Sequence, residues 1–394
     1  MGKAGNREDI LSRAIPLIRG LLAELSGSDD IPCERVILRT VTGGDARRFV
    51  DSDRRNNLKL CPVFLKKSKK PALYLDLLKS GESVGQTRDK TGAAIRKFSR
   101  IHGSKPQVVL LENLGILYVE ETGREGPLQN EIALVTGAGG AIGSGICRGL
   151  LEKGCHVAAT DLSRKSLDTL VGELEKEAKG RIMGIEMDVT DRDSVARGFN
   201  EVIRAWGGVD IVIVNAGIPL IGTLMEMDLD EFRKLEKVNV EGTLLTLSEA
   251  SRLLCLQGTG GDIVIVSTKN VFAPGASFGA YSATKAAAHQ LGRIASLELA
   301  EFNIRVNMVA PDAVFSDGER KSGLWEKIGP DRMRHRGIVD MKELQEYYRN
   351  RNLLKARVTA RHVANAVLFF VTRQTPTTGA TIPVDGGLPD ATPR

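Results

Sequence analysis

From Glu131 onward the chain alternates short apolar runs with longer stretches in which apolar residues recur at helical spacing. The runs occupy positions 132–136, 156–160, 182–187, 211–214, 263–266, 304–309 and 380–384. Strands that are apolar on both faces and alternate with helices are typical of a parallel sheet covered on each side. The pattern therefore predicts an α/β fold built on a doubly wound, Rossmann-type parallel sheet.

The first third of the chain has weaker periodicity. Residues 10–25 repeat apolar positions at helical spacing, but Pro16 should start or kink that helix. An apolar stretch at 73–78, a helix over 92–101 and a strand over 108–111 predict a smaller, mixed α/β N-terminal domain, and 122–127 is a linker. We expect one domain over 1–127 and the larger one over 128–394.

Composition and charge exclude several classes of protein. The 394 residues are 42% hydrophobic and 26% charged, which disfavours disorder and collagen. No apolar run is long enough to span a membrane, and the N-terminus lacks a signal-like apolar segment. Five cysteines without a CxxC pair indicate reduced thiols, and hence a cytoplasmic protein without a zinc ribbon.

The net charge of +6 is unevenly placed. Residues 1–128 carry 23 Lys and Arg against 16 Asp and Glu. A nucleic-acid partner would account for this excess. The densest cluster, at 66–70, has few interleaved aromatic residues for base stacking, so we favour a solvated face over nucleic-acid binding.

A glycine-rich loop follows the first predicted strand and leads into a helix. It reads Thr136-Gly137-Ala138-Gly139-Gly140-Ala141-Ile142-Gly143. Glycine-rich turns let the backbone approach a pyrophosphate, whose charge the helix N-terminus stabilises. Asp161 ends the next strand, where a carboxylate can accept hydrogen bonds from ribose hydroxyls and repel a 2′-phosphate. NAD is therefore favoured over NADP. Alternatively, Asp161 caps the following helix, and Arg164 would soften the preference.

Tyr281 and Lys285 lie four residues apart at the start of a long helix that we expect to reach residue 301. This spacing places the phenol and the ammonium on one helical face. A neighbouring ammonium favours the phenolate, so the pair predicts a lowered tyrosine pKa and an acid/base role.

Taken in order, these motifs resemble the short-chain dehydrogenase/reductase family over residues 131–387. The resemblance implies that Tyr281 is the acid/base and that Lys285 binds the nicotinamide ribose. It implies that Asn239 holds a water in the proton relay. It also implies that cofactor contacts come from the following residues: Gly137, Gly140, Ile142, Gly143, Asp161, Asp188, Val189, Asn215, Ala216, Gly217, Tyr281, Lys285 and Pro311.

Two positions depart from the family pattern. Ala141 stands where the family has the middle glycine of its loop, a small-for-small change that should leave the phosphate site intact. The substrate-polarising serine usually lies 13 residues before the tyrosine, and that position is Thr268, preceded by Ser267. Successive strand residues face opposite ways, so only one hydroxyl can serve, and we predict Thr268.

Segments beyond the general motifs resemble the dehydrogenase half of bifunctional rhamnulose-1-phosphate aldolase/lactaldehyde dehydrogenases. These segments are the stretch after Ser267, the loop after Pro311, an insert at about 312–355 and the C-terminal end. The insert is expected to form a substrate lid. Its cations are candidates for binding an anionic group, although such charges are more often solvated: Arg320, Lys321, Arg332, Arg334 and Arg336. Residues 49–69 resemble the latter part of the aldolase. Class II aldolases need several metal-binding histidines, but His102 is the only histidine in residues 1–130, so we expect a degenerate, non-catalytic domain without metal.

The sequence thus predicts an NAD-dependent oxidoreductase that acts on a hydroxyaldehyde, deoxysugar or polyol. The resemblance favours a homo-oligomer, a tetramer or a dimer. The alternatives are a catalytically silent NAD-binding interaction module, and a surviving metal aldolase. Loss of turnover with retained NADH binding would identify the silent module, and dependence on added zinc would identify the aldolase.

Overall fold

The computed structural model describes residues 7–28, 30–31, 33–51, 71–77, 83–120, 122–123, 126–318 and 320–391. The basic cluster at 66–70, most of the aldolase-like segment and residues 1–6 lie outside these ranges. The chain divides into two compact units. The first comprises Met1–Gly123, Phe199–Val209 and Leu253–Thr259, and the second comprises Arg124–Gly198, Asp210–Arg252 and Gly260–Arg394. No experiment or comparison tests the predicted domain boundary at 127/128, which stays a prediction.

The first unit has a four-stranded sheet in the order β3-β6-β5-β4, in which only the β4–β5 pair is parallel. Its elements are α1 (Arg7–Leu22), β1 (Glu24–Leu25), β2 (Cys33–Glu34), β3 (Leu38–Val41), α2 (Gly44–Asp51), β4 (Ala72–Leu75), α3 (Val84–His102), β5 (Val108–Leu111) and β6 (Gly115–Val119).

Two helix starts in this unit differ from the sequence prediction. Helix α1 begins nine residues before Pro16 and continues past it, so Pro16 does not start the helix. The buried apolar face of Ile15 and Ile18 offsets the backbone hydrogen bond that proline cannot donate. Helix α3 begins at Val84 rather than near residue 92, because Ser83 and Gln86 form a reciprocal capping box.

The second unit contains the predicted parallel sheet. Its elements are β7 (Ile132–Thr136), α4 (Ala141–Glu152), β8 (His156–Asp161), α5 (Arg164–Leu174), β9 (Ile182–Glu186), α6 (Arg192–Trp206), β10 (Ile211–Val214), α7 (Leu229–Glu236), α8 (Gly242–Gln257), β11 (Gly261–Val266), α9 (Gly279–Glu298), β12 (Ile304–Pro311), β13 (Ser316–Asp317), β14 (Arg320–Lys321), α10 (Gly323–Arg336), α11 (Met341–Arg351), α12 (Ala360–Val371) and β15 (Thr381–Val384). The ends of α6 and α8 belong to the first unit.

The seven strands run parallel in the order β15-β12-β11-β10-β7-β8-β9. The order reverses between β7 and β10, which creates a crevice at the carboxyl ends of these strands. All seven apolar runs form the strands of this sheet, and the predicted α/β, doubly wound fold class is confirmed.

Small residues let helices pack closely on the two faces of this sheet. A Cβ at Gly145 of α4 would lie 2.6 Å from Cβ of Ala360 in α12. A Cβ at Gly292 of α9 would lie 2.5 Å from Ile265 Cδ1 in β11. Larger residues at either glycine would push the helix away from its neighbour.

The region between β12 and α12 has its own apolar cluster, centred on Trp325, Ile328, Leu344 and Tyr348. The Trp325 ring stacks on Phe315 at 4.3 Å between ring centres. Helices α10 and α11 are thereby fixed to each other and to the loop that follows β12. Within the described ranges, none of the helices combines the length and apolar character that crossing a membrane requires.

Candidate functional site

The glycine-rich loop makes a tight turn between β7 and α4. Gly137 has a positive φ of 62°, and a Cβ there would lie 2.9 Å from Ala216 Cα. A Cβ at Gly143 would lie 2.4 Å from the Gly137 carbonyl oxygen. Gly140 is the N-cap of α4 and Ala141 is the first residue of that helix, buried beneath the turn. The loop therefore presents backbone N–H groups at a helix start without side chains in front of them.

Hydrogen bonds from the strand β10 side hold this loop in place. The Asn215 side-chain amide donates to the carbonyl oxygens of Thr136 (2.9 Å) and Gly137 (3.0 Å). The Thr136 hydroxyl accepts from the backbone N–H groups of Asn215 (2.9 Å) and Ala216 (3.0 Å). Asn215 and Ala216 thus shape the loop, and both also line the cavity described below.

Asp161 stands beside the glycine-rich loop at the end of β8. Its carboxylate accepts from Gly139 N–H and from Ser163 N–H, each at 3.0 Å. The cap of α5 is Ser163, whose hydroxyl accepts from Ser166 N–H, so Asp161 does not fill that role. Arg164 pairs with Asp168 at 2.6 Å. Asp161 therefore faces the cavity as a carboxylate, with Arg164 engaged elsewhere.

Tyr281, Lys285 and Thr268 line the same cavity as the loop. Tyr281 forms a hydrogen bond with the Thr268 side chain. The Lys285 ammonium donates to the Val266 carbonyl oxygen at 2.9 Å. The Ser267 hydroxyl is instead 3.0 Å from His289 Nδ1. Of the two adjacent hydroxyls, only that of Thr268 is bonded to the tyrosine.

The electrostatics of this group differ from the sequence expectation. Burial raises the pKa of Tyr281 to about 12, and the Thr268 hydrogen bond acts in the opposite direction. Burial also lowers the pKa of Lys285 to about 8. The expected lowering of the tyrosine pKa by lysine is wrong for the chain without ligands, because desolvation of the phenolate is the larger effect.

Asn239 lies one layer behind the cavity, in a π-helical turn at Lys237–Glu241. Its side chain accepts from Ile218 N–H (2.9 Å) and donates to Ile218 O and to the Thr284 hydroxyl, both at 3.1 Å. Single π-turns inside helices often occur at functional sites. Here the turn brings a buried amide behind both Gly217, which lies in the cavity wall, and the helix that carries Tyr281.

Two predicted cofactor residues are not among the described residues that line the cavity. The Asp188 carboxylate accepts from the backbone N–H and the hydroxyl of Thr190, both at 2.8 Å. Val189 packs under the start of α8, where a Cβ at Gly242 would lie 2.9 Å from its Cγ2. Their predicted contact with adenine stays a prediction. The remaining predicted residues, Gly137, Gly140, Ile142, Gly143, Gly217 and Pro311, lie in the cavity wall.

The cavity has a volume of about 530 Å³ and continues from the cofactor residues to the region after β12. Its further wall carries Lys269, Phe278, Arg332, Tyr348 and Arg351. The sequence pattern identified Arg332 only as one of several insert cations and did not identify Lys269. Arg320, another of those cations, instead donates to Gly139 O at 3.2 Å and pairs with Glu173.

In the described part of the chain, no three or more His, Cys, Asp or Glu residues form a group that could hold a metal ion. The described polar residues at the cavity are two carboxylates, amides, hydroxyls, a phenol, amines and guanidinium groups. This set suits organic substrates and proton transfer.

Comparisons with known proteins identify relatives of the larger unit. A family model described as short chain dehydrogenase matches residues 131–327. The uncharacterized oxidoreductase YuxG of Bacillus subtilis is 28% identical, and the alignment covers 98% of this chain but only 65% of that protein. A sorbitol dehydrogenase of Cereibacter sphaeroides is 31% identical over 51% of this chain and 76% of that protein. The structure of sorbitol-6-phosphate 2-dehydrogenase SrlD from Erwinia amylovora aligns with a TM-score of 0.60 and 28% identity, covering 65% of this chain and 98% of that one.

Proposed function

Because this chain belongs to the short-chain dehydrogenase family, we propose that it is an NAD-dependent oxidoreductase acting on the CH–OH group of a small polyol, deoxysugar or hydroxyaldehyde. The observation that carries the proposal is the cavity itself. It brings Tyr281, Lys285 and Thr268 together with a glycine-rich loop and the carboxylate of Asp161.

The residues present fit a nicotinamide dinucleotide. Neighbouring backbone leaves no room for a side chain at Gly137 or Gly143, so the loop can turn tightly, and the start of α4 favours a pyrophosphate charge. Asp161 keeps lone pairs for the ribose hydroxyls and would repel a 2′-phosphate, which supports NAD rather than NADP. A bound NAD would supply the hydride acceptor for the substrate carbinol carbon.

The residues of this chain handle the proton and the substrate oxygen. Thr268 donates its hydroxyl hydrogen to the substrate oxygen, and Tyr281 Oη exchanges the proton with that oxygen. Lys285 uses one of its three N–H donors on Val266 O and has two for the nicotinamide ribose. Because the pKa of Tyr281 is about 12, the phenol is protonated at neutral pH. That state suits reduction of a carbonyl, and alcohol oxidation is expected to accelerate as the pH rises.

The relatives support the substrate class without identifying the substrate. Two of the proteins described above are named for sorbitol or its 6-phosphate, and both names denote polyols. Much of the cavity wall beyond Tyr281 comes from the region after β12, and loops and inserted segments are where proteins of one fold most often differ in what they bind. We propose that this region acts as the substrate lid.

The test is NADH formation by the purified chain with polyols, deoxysugars and lactaldehyde, comparing NAD with NADP. Turnover with NAD that disappears in Tyr281→Phe supports the enzyme. Tyr281→Phe removes one hydroxyl and keeps the ring, so its NADH affinity serves as the control for folding. Binding of NADH without turnover of any substrate would contradict the proposal and favour a silent NAD-binding module.

We also propose that the N-terminal part is a non-catalytic relative of the class II aldolase half of bifunctional aldolase/dehydrogenases. The alignment with YuxG, which covers 98% of this chain, supports a shared arrangement beyond the dehydrogenase region. His102 as the only histidine in residues 1–130 supports the absence of a metal-dependent step. Zinc-dependent, chelator-sensitive aldol cleavage of rhamnulose 1-phosphate would contradict this proposal.

A homo-oligomer is proposed from the apolar surface of the larger unit. Leu244 of α8 and Leu297 of α9 are 51% and 76% exposed, and large exposed apolar side chains are candidates for burial in a subunit interface. Light scattering after gel filtration tests this, with Leu297→Lys expected to reduce the mass to that of a monomer. A wild-type monomer would contradict it.

A further inference from the structure

The cavity wall beyond Tyr281 is strongly basic. The described cations in that wall are Lys269, Lys327, Arg332, Arg336 and Arg351, and the acidic residue among them is Asp312. The Arg351 guanidinium binds both Asp312 oxygens, at 3.1 and 2.8 Å. Asp312 is therefore engaged by Arg351, and among the described residues no carboxylate forms an ion pair with Lys269 or Arg332.

Arg332 is the most informative of these cations because it is buried. Its side chain lies on α10 and only 8% of the residue is exposed. Within the described chain, its guanidinium donates to Ala276 O at 3.3 Å and stacks 4.0 Å above the Phe278 ring centre, while Nε has no partner. A buried guanidinium without a carboxylate is costly, unless a ligand supplies the charge.

Lys269 is a second cation in the same wall. Its ammonium donates to Ala273 O at 3.0 Å. Burial lowers the pKa of Lys269. Asp312 and Asp390 act in the opposite direction, while Arg351 and Arg332 act in the same direction as burial. The repulsion between Lys269 and these two guanidinium groups would be relieved by a bound anion. Lys269 and Arg332 together match the charge of a phosphate monoester, about −1.5 to −2.

The distance between Arg332 and Tyr281 also suits a substrate with a phosphate at one end. The Phe278 ring contacts both residues, with its centre 4.0 Å from Arg332 Cζ and 6.1 Å from the Tyr281 ring centre. Arg332 Cζ is therefore at most about 10 Å from the Tyr281 ring centre. In a six-carbon polyol phosphate about seven bonds join the C2 hydroxyl oxygen to the phosphorus, which at about 1.5 Å per bond reaches up to about 10 Å.

We propose that the substrate is a phosphorylated polyol or sugar, whose phosphate monoester is bound by Arg332 and Lys269 while its hydroxyl lies at Tyr281. This assignment rests on the proposed function, because it concerns the substrate of the same oxidoreductase site. Guanidinium and ammonium groups give charge-assisted hydrogen bonds to phosphate oxygens.

The first test compares kcat/KM for sorbitol, sorbitol 6-phosphate and gluconate. We expect the phosphate ester to exceed sorbitol by at least about 100-fold, because two charged hydrogen-bonding groups are each worth about tenfold or more. Arg332→Gln should reduce this ratio at least about tenfold, chiefly through KM. Arg332→Lys, which keeps the charge, should give an intermediate ratio.

Arg334→Gln is the matched control, since Arg334 lies on the same helix, is exposed and is not part of the cavity wall. It removes one positive charge and should leave the ratio at its wild-type value. An equal or better rate with sorbitol, a preference for gluconate over the phosphate ester, or an equal fall of the ratio in Arg334→Gln would each overturn the proposal.

A binding measurement separates this proposal from the proposed function. Calorimetric titration of sorbitol 6-phosphate, with and without NADH, needs no turnover. Binding that Arg332→Gln weakens at least about tenfold, in a protein that oxidises nothing, would support the phosphate site and contradict the oxidoreductase. Turnover of neutral polyols without phosphate-ester binding would support the oxidoreductase and contradict the phosphate site.

Discussion

Lys285 holds its ammonium in the interior of the larger unit, where it should destabilise the folded chain at neutral pH. The residue is 7% exposed, and burial lowers its pKa from 10.5 to about 8. The ammonium donates to Val266 O at 2.9 Å, which satisfies one of its three donors. Replacing Lys285 with Met removes the buried charge and keeps an unbranched side chain of similar length.

The magnitude follows from the two pKa values. Between about pH 8 and pH 10.5 the unfolded chain binds more protons at this residue than the folded chain, so folded-state stability rises with pH in that window. At pH 7 the buried ammonium costs about 3 kcal/mol, since a difference of one in pKa corresponds to about 1.4 kcal/mol. By pH 10 most of that cost is gone, and the wild type gains about 2.5 kcal/mol relative to Lys285→Met. The variant leaves Val266 O without its donor, at about 1 kcal/mol, and this loss does not depend on pH.

We therefore expect Lys285→Met to unfold at higher urea concentration than the wild type at pH 7, and at equal or lower concentration at pH 10. A Trp206→Phe background leaves Trp325 as the fluorescent reporter of the larger unit, because the chain has two tryptophans. Lys165→Met, which removes an exposed lysine, should shift unfolding equally at both pH values. If the free energies of wild type and Lys285→Met changed in parallel with pH, the buried-charge reasoning would be refuted.

Four further variants test the site. Thr268→Ala should lower kcat for alcohol oxidation about 10²-fold by removing a donor to the substrate oxygen. Ser267→Ala should keep kcat and lose about 1 kcal/mol of unfolding free energy, because Ser267 is bonded to His289. Equal kcat losses in the two variants would argue against these separate roles. Gly137→Ala should weaken NADH binding more than tenfold in a fluorescence titration, since its φ of 62° strains other residues by about 1–2 kcal/mol and its Cβ would meet Ala216. Asp161→Ala should move the ratio of kcat/KM for NAD and NADP at least about tenfold towards NADP; an unchanged ratio would remove Asp161 from cofactor selection.

The strands of the larger unit were predictable because each contains a short apolar run bounded by loop residues, and the central ones, such as β7 and β10, are buried on both faces. The smaller unit was less predictable for a physical reason. Strand β3, at Leu38–Val41, has one buried residue and three half-buried ones, so its sequence lacks a continuous apolar run. Helix α3 carried a capping signal at Ser83 and Gln86 that the apolar periodicity of 92–101 alone did not include. The course of α1 past Pro16 depends on packing, which sequence periodicity does not reveal.

The glycine-rich loop and the position of Asp161 were predictable because local backbone geometry specifies them. Close backbone neighbours require glycine at positions 137 and 143, and Asp161 ends the adjacent strand. The pKa of Tyr281 was not predictable from its spacing to Lys285, because burial outweighs the charge at that position.

The substrate side depends on segments that are distant in sequence. Lys269 follows β11, Asp312 follows β12, and Arg332 and Arg351 lie on α10 and α11. Their meeting in one wall is fixed by the aromatic cluster around Trp325, whose members have no motif spacing. A family motif therefore specifies the part of the cavity expected to bind a dinucleotide. Substrate selectivity is expected to depend on packing outside that motif. Substitutions in the Trp325 cluster should accordingly change the ratio of phosphorylated to neutral substrate before they change NADH affinity. Trp325→Leu provides that test, and a larger effect on NADH affinity than on the substrate ratio would contradict the division of the cavity into these two sides.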